Sequence, residues 1–380
     1  MTHDVARYFL PLAIGMVFFG ATQVAAAGEV LVFISAFAKG DDGAIHAYKL
    51  DTETGALKLS QRTTDAEQPF YMALSPDRKF LYSIHAAGEF GGKENEQIAA
   101  YQIADDTGKL KLLNRQSAMG TAACYLEVDA TGKTIMVSNY SSGSVAALPL
   151  KADGSLGEAA TFIQHKPEAG ADKKVVSHAH CIIVSPDNRF AITADLGLDQ
   201  VITYQLDPAK AKLTPATPPF VKTPLGNGPR HLTFHPNGKH LYAINELKNS
   251  VTLFNYEAKT GSLTEQQTLS TLPKDFTGQS YCADVKITPN GKFLYGTNRG
   301  HDSIAAYRLA DDGKLTLLSI DPSLGKGPQN LVITPGGELL LCANMPGNNV
   351  VVFKIDQQTG AIKPVGEPIS IPSPSCMRIR

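Results

Sequence analysis

The sequence predicts an all-β fold, a seven-bladed β-propeller with four antiparallel strands per blade. Three observations predict it. A turn built on Asp or Glu, usually with Gly, recurs seven times; a Pro-centred turn recurs between the copies; and the segments between turns are short runs rich in Val, Ile, Leu, Tyr and Phe. Such strands at a period of roughly 50 residues are the signature of a propeller array.

The first marker is a hairpin turn: Asp51–Leu57, Asp105–Leu110, Asp153–Leu156, Asp207–Leu213, Glu257–Leu263, Asp311–Leu315 and Asp356–Ile362. An Asp side chain bonds its own backbone two residues on, and Gly accepts the left-handed conformation such turns require. The second marker is Ser75-Pro-Asp, Ser185-Pro-Asp, His235-Pro-Asn, Thr288-Pro-Asn and Thr334-Pro-Gly, with Asp129-Ala-Thr in place of Pro in one copy. Pro followed by Asn or Gly suits a type I turn. The third is an Asn or Asp ending a strand (Asn139, Asp195, Asn245, Asn298, Asn344), whose recurrence marks it as a loop cap rather than a ligand.

Each repeat therefore reads strand A, Pro turn, strand B, Asn loop, strand C, Asp-Gly turn, strand D. Residues 30–34 read as a strand B with no strand A before it, and 375–379 as a strand A with nothing after it. Pairing the two completes a seventh blade, closes the ring and removes the open sheet edges. The two tight turns then share one face. The Asn loops and the starts of strand A share the other, where the irregular segments Ala86–Gln97, Gln164–Ser177 and Pro273–Tyr281 also fall. Long loops on a rigid scaffold are where binding and chemistry concentrate.

Residues 1–27 predict a secretory signal peptide: Arg7, an apolar run from Phe9 to Ala21, and small residues at Ala25–Ala27. The propeller is expected over 28–380, exported to the periplasm or beyond, with no stable membrane insertion after cleavage. A formal net charge of -1 gives no basis for binding nucleic acid or an anionic membrane. A closed ring with a neutral surface predicts a monomer. The five cysteines, Cys124, Cys181, Cys282, Cys342 and Cys376, sit on apolar strands with no CxxC pair and read as small core residues. The sequence carries no metal-ligand spacing, no cofactor fingerprint and no GxSxG elbow, so neither a metal nor a cofactor is expected and a serine hydrolase is disfavoured.

Repeats supply an internal control, and the candidate site is where they break. Six and five residues before the Pro turn, strand A begins Phe70-Tyr71, Cys124-Tyr125, His180-Cys181, Arg230-His231, Ala283-Asp284 and Gln329-Asn330. His180, Arg230, His231 and Asp284 depart from an apolar ring, as does His178 just before. After the capping Asn or Asp, the next residue varies, and Glu246 and Arg299 are its charged exceptions. The predicted reactive set is His180, Arg230, Glu246 and Arg299, with His178, His231, Asp284 and His301 as substrate contacts.

His178-Ala-His-Cys181, Asp195-Leu-Gly-Leu-Asp199, Gly228-Pro-Arg-His-Leu232, Asn245-Glu246, Asn298-Arg-Gly-His-Asp-Ser303 and Pro374-Ser-Cys376 together resemble the seven-bladed lactonase family, over essentially all of residues 28–380. That family includes propeller-type 6-phosphogluconolactonases and carboxymuconate cyclases. The resemblance implies a small-molecule lactone as substrate, and the His, Arg, Glu and second Arg proposed to act in the cyclase branch match the His178/His180 pair, Arg230, Glu246 and Arg299. His180 or Glu246 could serve as base. A cyclase or isomerase using the same residues, and a non-enzymatic binding propeller of the cell envelope, are the alternatives.

Overall fold

The computed structural model describes residues 28–86 and 88–380; the candidate signal peptide lies outside the described residues. They form seven four-stranded antiparallel sheets arranged as propeller blades. In blade 1 the C-terminal strand Pro374–Ile379 pairs with Glu29–Ala36, placing Met377 opposite Ile34 and Ile379 opposite Val32. The ring thus closes by the predicted pairing of its two ends. Blades 2 to 7 follow in chain order, each running from the axis outward.

The burial pattern follows from this geometry. A strand B is covered on both faces by neighbouring blades, so His240–Asn245 and Leu339–Asn344 are buried at every position. Outer strands alternate, as in Ser262–Ser270, because one face meets solvent. The recurrent Tyr of strand B locks one blade to the next. Tyr82 OH donates to Gly154 O (3.1 Å), Tyr242 OH to Gly313 O (2.6 Å) and Tyr295 OH to Gly360 O (2.8 Å), each acceptor being the Gly of the next blade's hairpin turn. At Gly360, φ is +80° and a Cβ would sit 2.3 Å from Phe293, so this turn approaches its neighbour too closely for a side chain. All five cysteines are buried free thiols.

Strand A carries the feature that builds the mouth of the channel. In blade 4, Ala179 pairs with Asp195 and Cys181 with Ala194, leaving His180 as an extra residue. In blade 5, Pro229 pairs with Asn245 and His231 with Ile244, leaving Arg230. Blade 3 leaves Cys124 and blade 7 leaves Gln329 by the same shift. A β-bulge re-aims a side chain that simple alternation would send into the sheet. Adjacent residues of strand A therefore both serve the axis.

Candidate active site

His180 stands on the bulge of Ala179–Val184 and Arg230 on that of Pro229–Phe234. Glu246 follows the end of His240–Asn245 and Arg299 ends Phe293–Arg299, so four strands of three adjacent blades deliver the predicted reactive set. Glu246 is pinned by its backbone: its N–H donates to Gly228 O (2.8 Å), and its carbonyl accepts Cys282 N–H (3.2 Å).

The carboxylate of Glu246 is bridged by both arginines. Arg230 Nε lies 2.9 Å from Oε2, and Arg299 Nη2 lies 2.7 Å from Oε1. Arg299 Nη2 also donates to Cys282 O at 3.1 Å. His180 Nε2 lies 3.8 Å from Glu246 Oε2. Burial, then the charge of Arg230, holds the His180 imidazole well below its ordinary pKa, so it is neutral near pH 7. Its Nδ1 sits 3.7 Å from the Cys124 sulfur, whose thiol burial pushes up to about 12. The four predicted residues form one contiguous cluster.

The four predicted contacts divide. His178 is at the rim: its ring stacks on Tyr140 at 4.5 Å, its Nδ1 faces Tyr140 O at 3.1 Å, and Tyr140 sets its edge toward His180 at 5.3 Å. His231 and Asp284 lie beneath Arg230, 3 % and 0 % exposed, joined by Nδ1 to Oδ1 at 2.8 Å. They are as buried as Arg230 itself (2 % exposed), and His231 Nε2 lies 3.1 Å from Arg230 Nη1. His301 is held locally by Ser303 Oγ (2.7 Å) and the edge of Phe276 (4.7 Å), and among the described residues no hydrogen bond or ion pair joins it to the four. Residues the repeat comparison passed over also contribute. Gln329, the blade 7 bulge residue, accepts from Arg299 Nη1 at 3.4 Å.

A cleft of about 380 Å³ opens beside the cluster, lined by Glu246, Gln279, Tyr281, Arg299, Lys326 and Pro346. A larger cleft, about 770 Å³, lies on the opposite face around Thr131, Asp187, Arg189 and Lys259. Its Arg189 donates to Ala258 O and pairs with Asp187 at 3.9 Å, so its polar groups serve the turns. The strand-ending caps likewise bond within the fold, although Asn139 and Asn245 each leave Oδ1 buried without a partner among the described residues. Asn298 Nδ2 donates to Thr271 O and Ser303 Oγ, and Asn344 Nδ2 to Ser323 O. Asp195 accepts from Ser177 Oγ (2.5 Å) and faces His165 Nδ1 (2.7 Å). There the serine donates to the carboxylate and not to the imidazole, so the trio lacks the order of a nucleophilic triad.

The family model described as "Lactonase, 7-bladed beta-propeller" matches residues 31–379. The chain is 32 % identical over 347 residues to a 6-phosphogluconolactonase of Bacillus subtilis, covering 91 % of this chain and 97 % of that protein. A 6-phosphogluconolactonase of Formosa agariphila is 31 % identical over 356 residues, covering 92 % and 99 %. The solved structure of a periplasmic gluconolactonase from Pseudomonas aeruginosa superimposes with a TM-score of 0.86 at 29 % identity, covering 93 % of this chain and 99 % of that one. With a match across its whole propeller and relatives of this similarity, the chain belongs to the seven-bladed β-propeller lactonase family.

Proposed function

We propose that this lactonase opens a sugar lactone to its hydroxy acid at the His180–Arg230–Glu246–Arg299 cluster, with His180 as base. The observation that carries the reading is the bridged carboxylate: one Glu between two arginines, beside a neutral buried imidazole.

Lactone opening needs a polarised carbonyl, an activated water and a stabilised oxyanion. Arg230 Nη1 is occupied by Ala283 O and His231, and Nε lies 2.9 Å from Glu246 Oε2 as an ion pair without hydrogen-bond geometry, while Nη2 has no partner among the described residues. That nitrogen is the donor offered to the carbonyl oxygen. As water oxygen adds to the carbonyl carbon, His180 Nε2 takes its proton. The ring C–O bond then breaks, the imidazolium returns the proton to the departing ring oxygen, and the open hydroxy acid leaves with His180 neutral again. Two arginines make the resting imidazole a weak base. The negative charge growing on the tetrahedral oxygen offsets their field when the proton must move, and Glu246 Oε2, 3.8 Å away, steadies the imidazolium. Arg299 faces the cleft, where it can pair with an anionic or hydroxyl group of the substrate.

Export supports an unphosphorylated gluconolactone as substrate. The basic, apolar and small-residue sequence of residues 1–27 and the likeness to a periplasmic gluconolactonase both favour the periplasm. The test is hydrolysis of gluconolactone, 6-phosphogluconolactone and a muconolactone by the protein and by Arg230→Ala. Turnover of gluconolactone above the other two, falling ~100-fold in the variant (about 2.7 kcal/mol of barrier), is expected. No turnover of any of the three would overturn the reading.

A further inference from the structure

Arg230 is held from behind by a chain of buried groups that crosses four blades. Its Nη1 lies 3.1 Å from His231 Nε2, and His231 Nδ1 lies 2.8 Å from Asp284 Oδ1. Asp284 Oδ1 also accepts from Lys286 Nζ (2.7 Å) and Val285 N (2.9 Å). Asp284 Oδ2 accepts from Asn330 Nδ2 (2.7 Å) and Leu331 N (2.9 Å). Asn330 Oδ1 in turn accepts Met377 N–H (2.8 Å) from the strand that closes the ring.

Donor and acceptor types fix the protons along this chain. A guanidinium only donates, so His231 Nε2 facing Arg230 carries a lone pair. Asp284 is surrounded by donors, so His231 Nδ1 facing it carries the hydrogen. The imidazole is therefore neutral and its dipole spans an anion and a cation. The surroundings agree. Burial, then Arg230, holds the His231 pKa at about 3. Burial pushes Asp284 up, but Lys286, His231 and the Leu331 N–H outweigh it and keep the carboxyl far below its usual range.

We propose that His231 and Asp284 are positioning residues that act through Arg230, engaging Nη1 from the buried side so that Nη2 meets the substrate oxygen. The kinetic arm of this inference rests on the lactonase reading above. A group that aims an oxyanion donor acts on the transition state more than on the bound substrate, so its loss lowers kcat and leaves KM nearly unchanged.

The experiment is a double-mutant cycle between His231→Leu and Arg230→Ala, with His231→Gln as the conservative variant. His231→Leu is expected to lower kcat about 30-fold, in line with a misplaced catalytic group. His231→Gln, whose side-chain oxygen can accept from Arg230, recovers most of that. In the Arg230→Ala background, His231→Leu costs less than twofold more. Equal losses in both backgrounds, or a raised KM with unchanged kcat, would overturn the proposal. A measurement independent of turnover and of the variants' folding is the ¹⁵N chemical shift of the His231 ring in the unmodified protein. A neutral Nδ1–H tautomer at pH 7 is expected, and an imidazolium or an Nε2–H tautomer overturns the chain even if the lactonase activity is found.

Discussion

At the scale of single residues, the site is organised by what surrounds His180. The ring is buried, the charge of Arg230 and the ring of His231 act on it, and Glu246 supplies opposing charge 3.8 Å away. These surroundings keep the imidazole neutral well below its ordinary pKa, which decides the shape of the pH profile. A base works only while deprotonated, so kcat/KM should hold its full value as pH falls to about 6.5 and decline only below it. The measurement is a pH–rate profile of kcat/KM, with His180→Gln as control. An acid limb centred at or above pH 7 in the unmodified protein would exclude His180 as base and turn attention to Glu246.

At the scale of strands and turns, the bulge is what makes the site, and it also sets how much the sequence could disclose. The repeats exposed the blade plan because each turn has a local cause: Asp51 Oδ1 accepts from Glu53 N and Thr54 N, and Asp356 Oδ1 from Gln358 N and Thr359 N. Repeat-breaking also found Arg230, His231, Glu246 and Arg299. It could not say which way Arg230 and His231 each point, because a bulge abolishes the alternation from which direction is read. Asn330, which extends the buried chain, was unreadable for another reason: its partners Asp284 and Met377 come from other blades. The strand ends are as exacting as the side chains they carry. Gly300 follows Arg299 at φ +99°, and a Cβ there would lie 2.4 Å from the carbonyl of Gln279, backbone that cannot swing aside. Gly300→Ala should cost roughly 1–3 kcal/mol of stability from strain. By moving Arg299 off Glu246, it should also lower kcat/KM about 10-fold while the fold survives. Thermal unfolding and steady-state kinetics on one preparation check both, and wild-type values of the two would show that the turn relaxes without shifting Arg299.

At the scale of the whole molecule, the ring buries histidines that the unfolded chain would protonate, and this sets its stability against pH. Burial holds His46 and His85 at about 4 and His231 at about 3, and keeps His180 well below 6.5. Above about pH 7.5 these groups are neutral in both states and contribute no slope. Below it the unfolded chain takes up protons that the folded chain refuses, so stability is lost as pH falls. Glu127 runs the other way. Burial raises it to about 7, so between that value and its unfolded pKa the folded state keeps a proton the unfolded state releases. One proton opposes as many as four. With each proton worth about 1.4 kcal/mol per pH unit, and His46 discounted for solvent screening, the net loss near pH 5.5 is roughly 2–4 kcal/mol per pH unit. The midpoint of thermal unfolding should therefore be nearly level from about pH 7.5 to 8, begin to fall as pH drops through 7, and fall by several degrees between pH 6.5 and 5.5. Followed by circular dichroism, a level midpoint down to pH 5 would mean that these histidines protonate inside the folded ring. The fall in kcat/KM in acid and the loss of fold would then separate. If both occur together, the burial of His180 and His231, reinforced by the positive field of Arg230, is also what ties activity to the acid stability of the propeller.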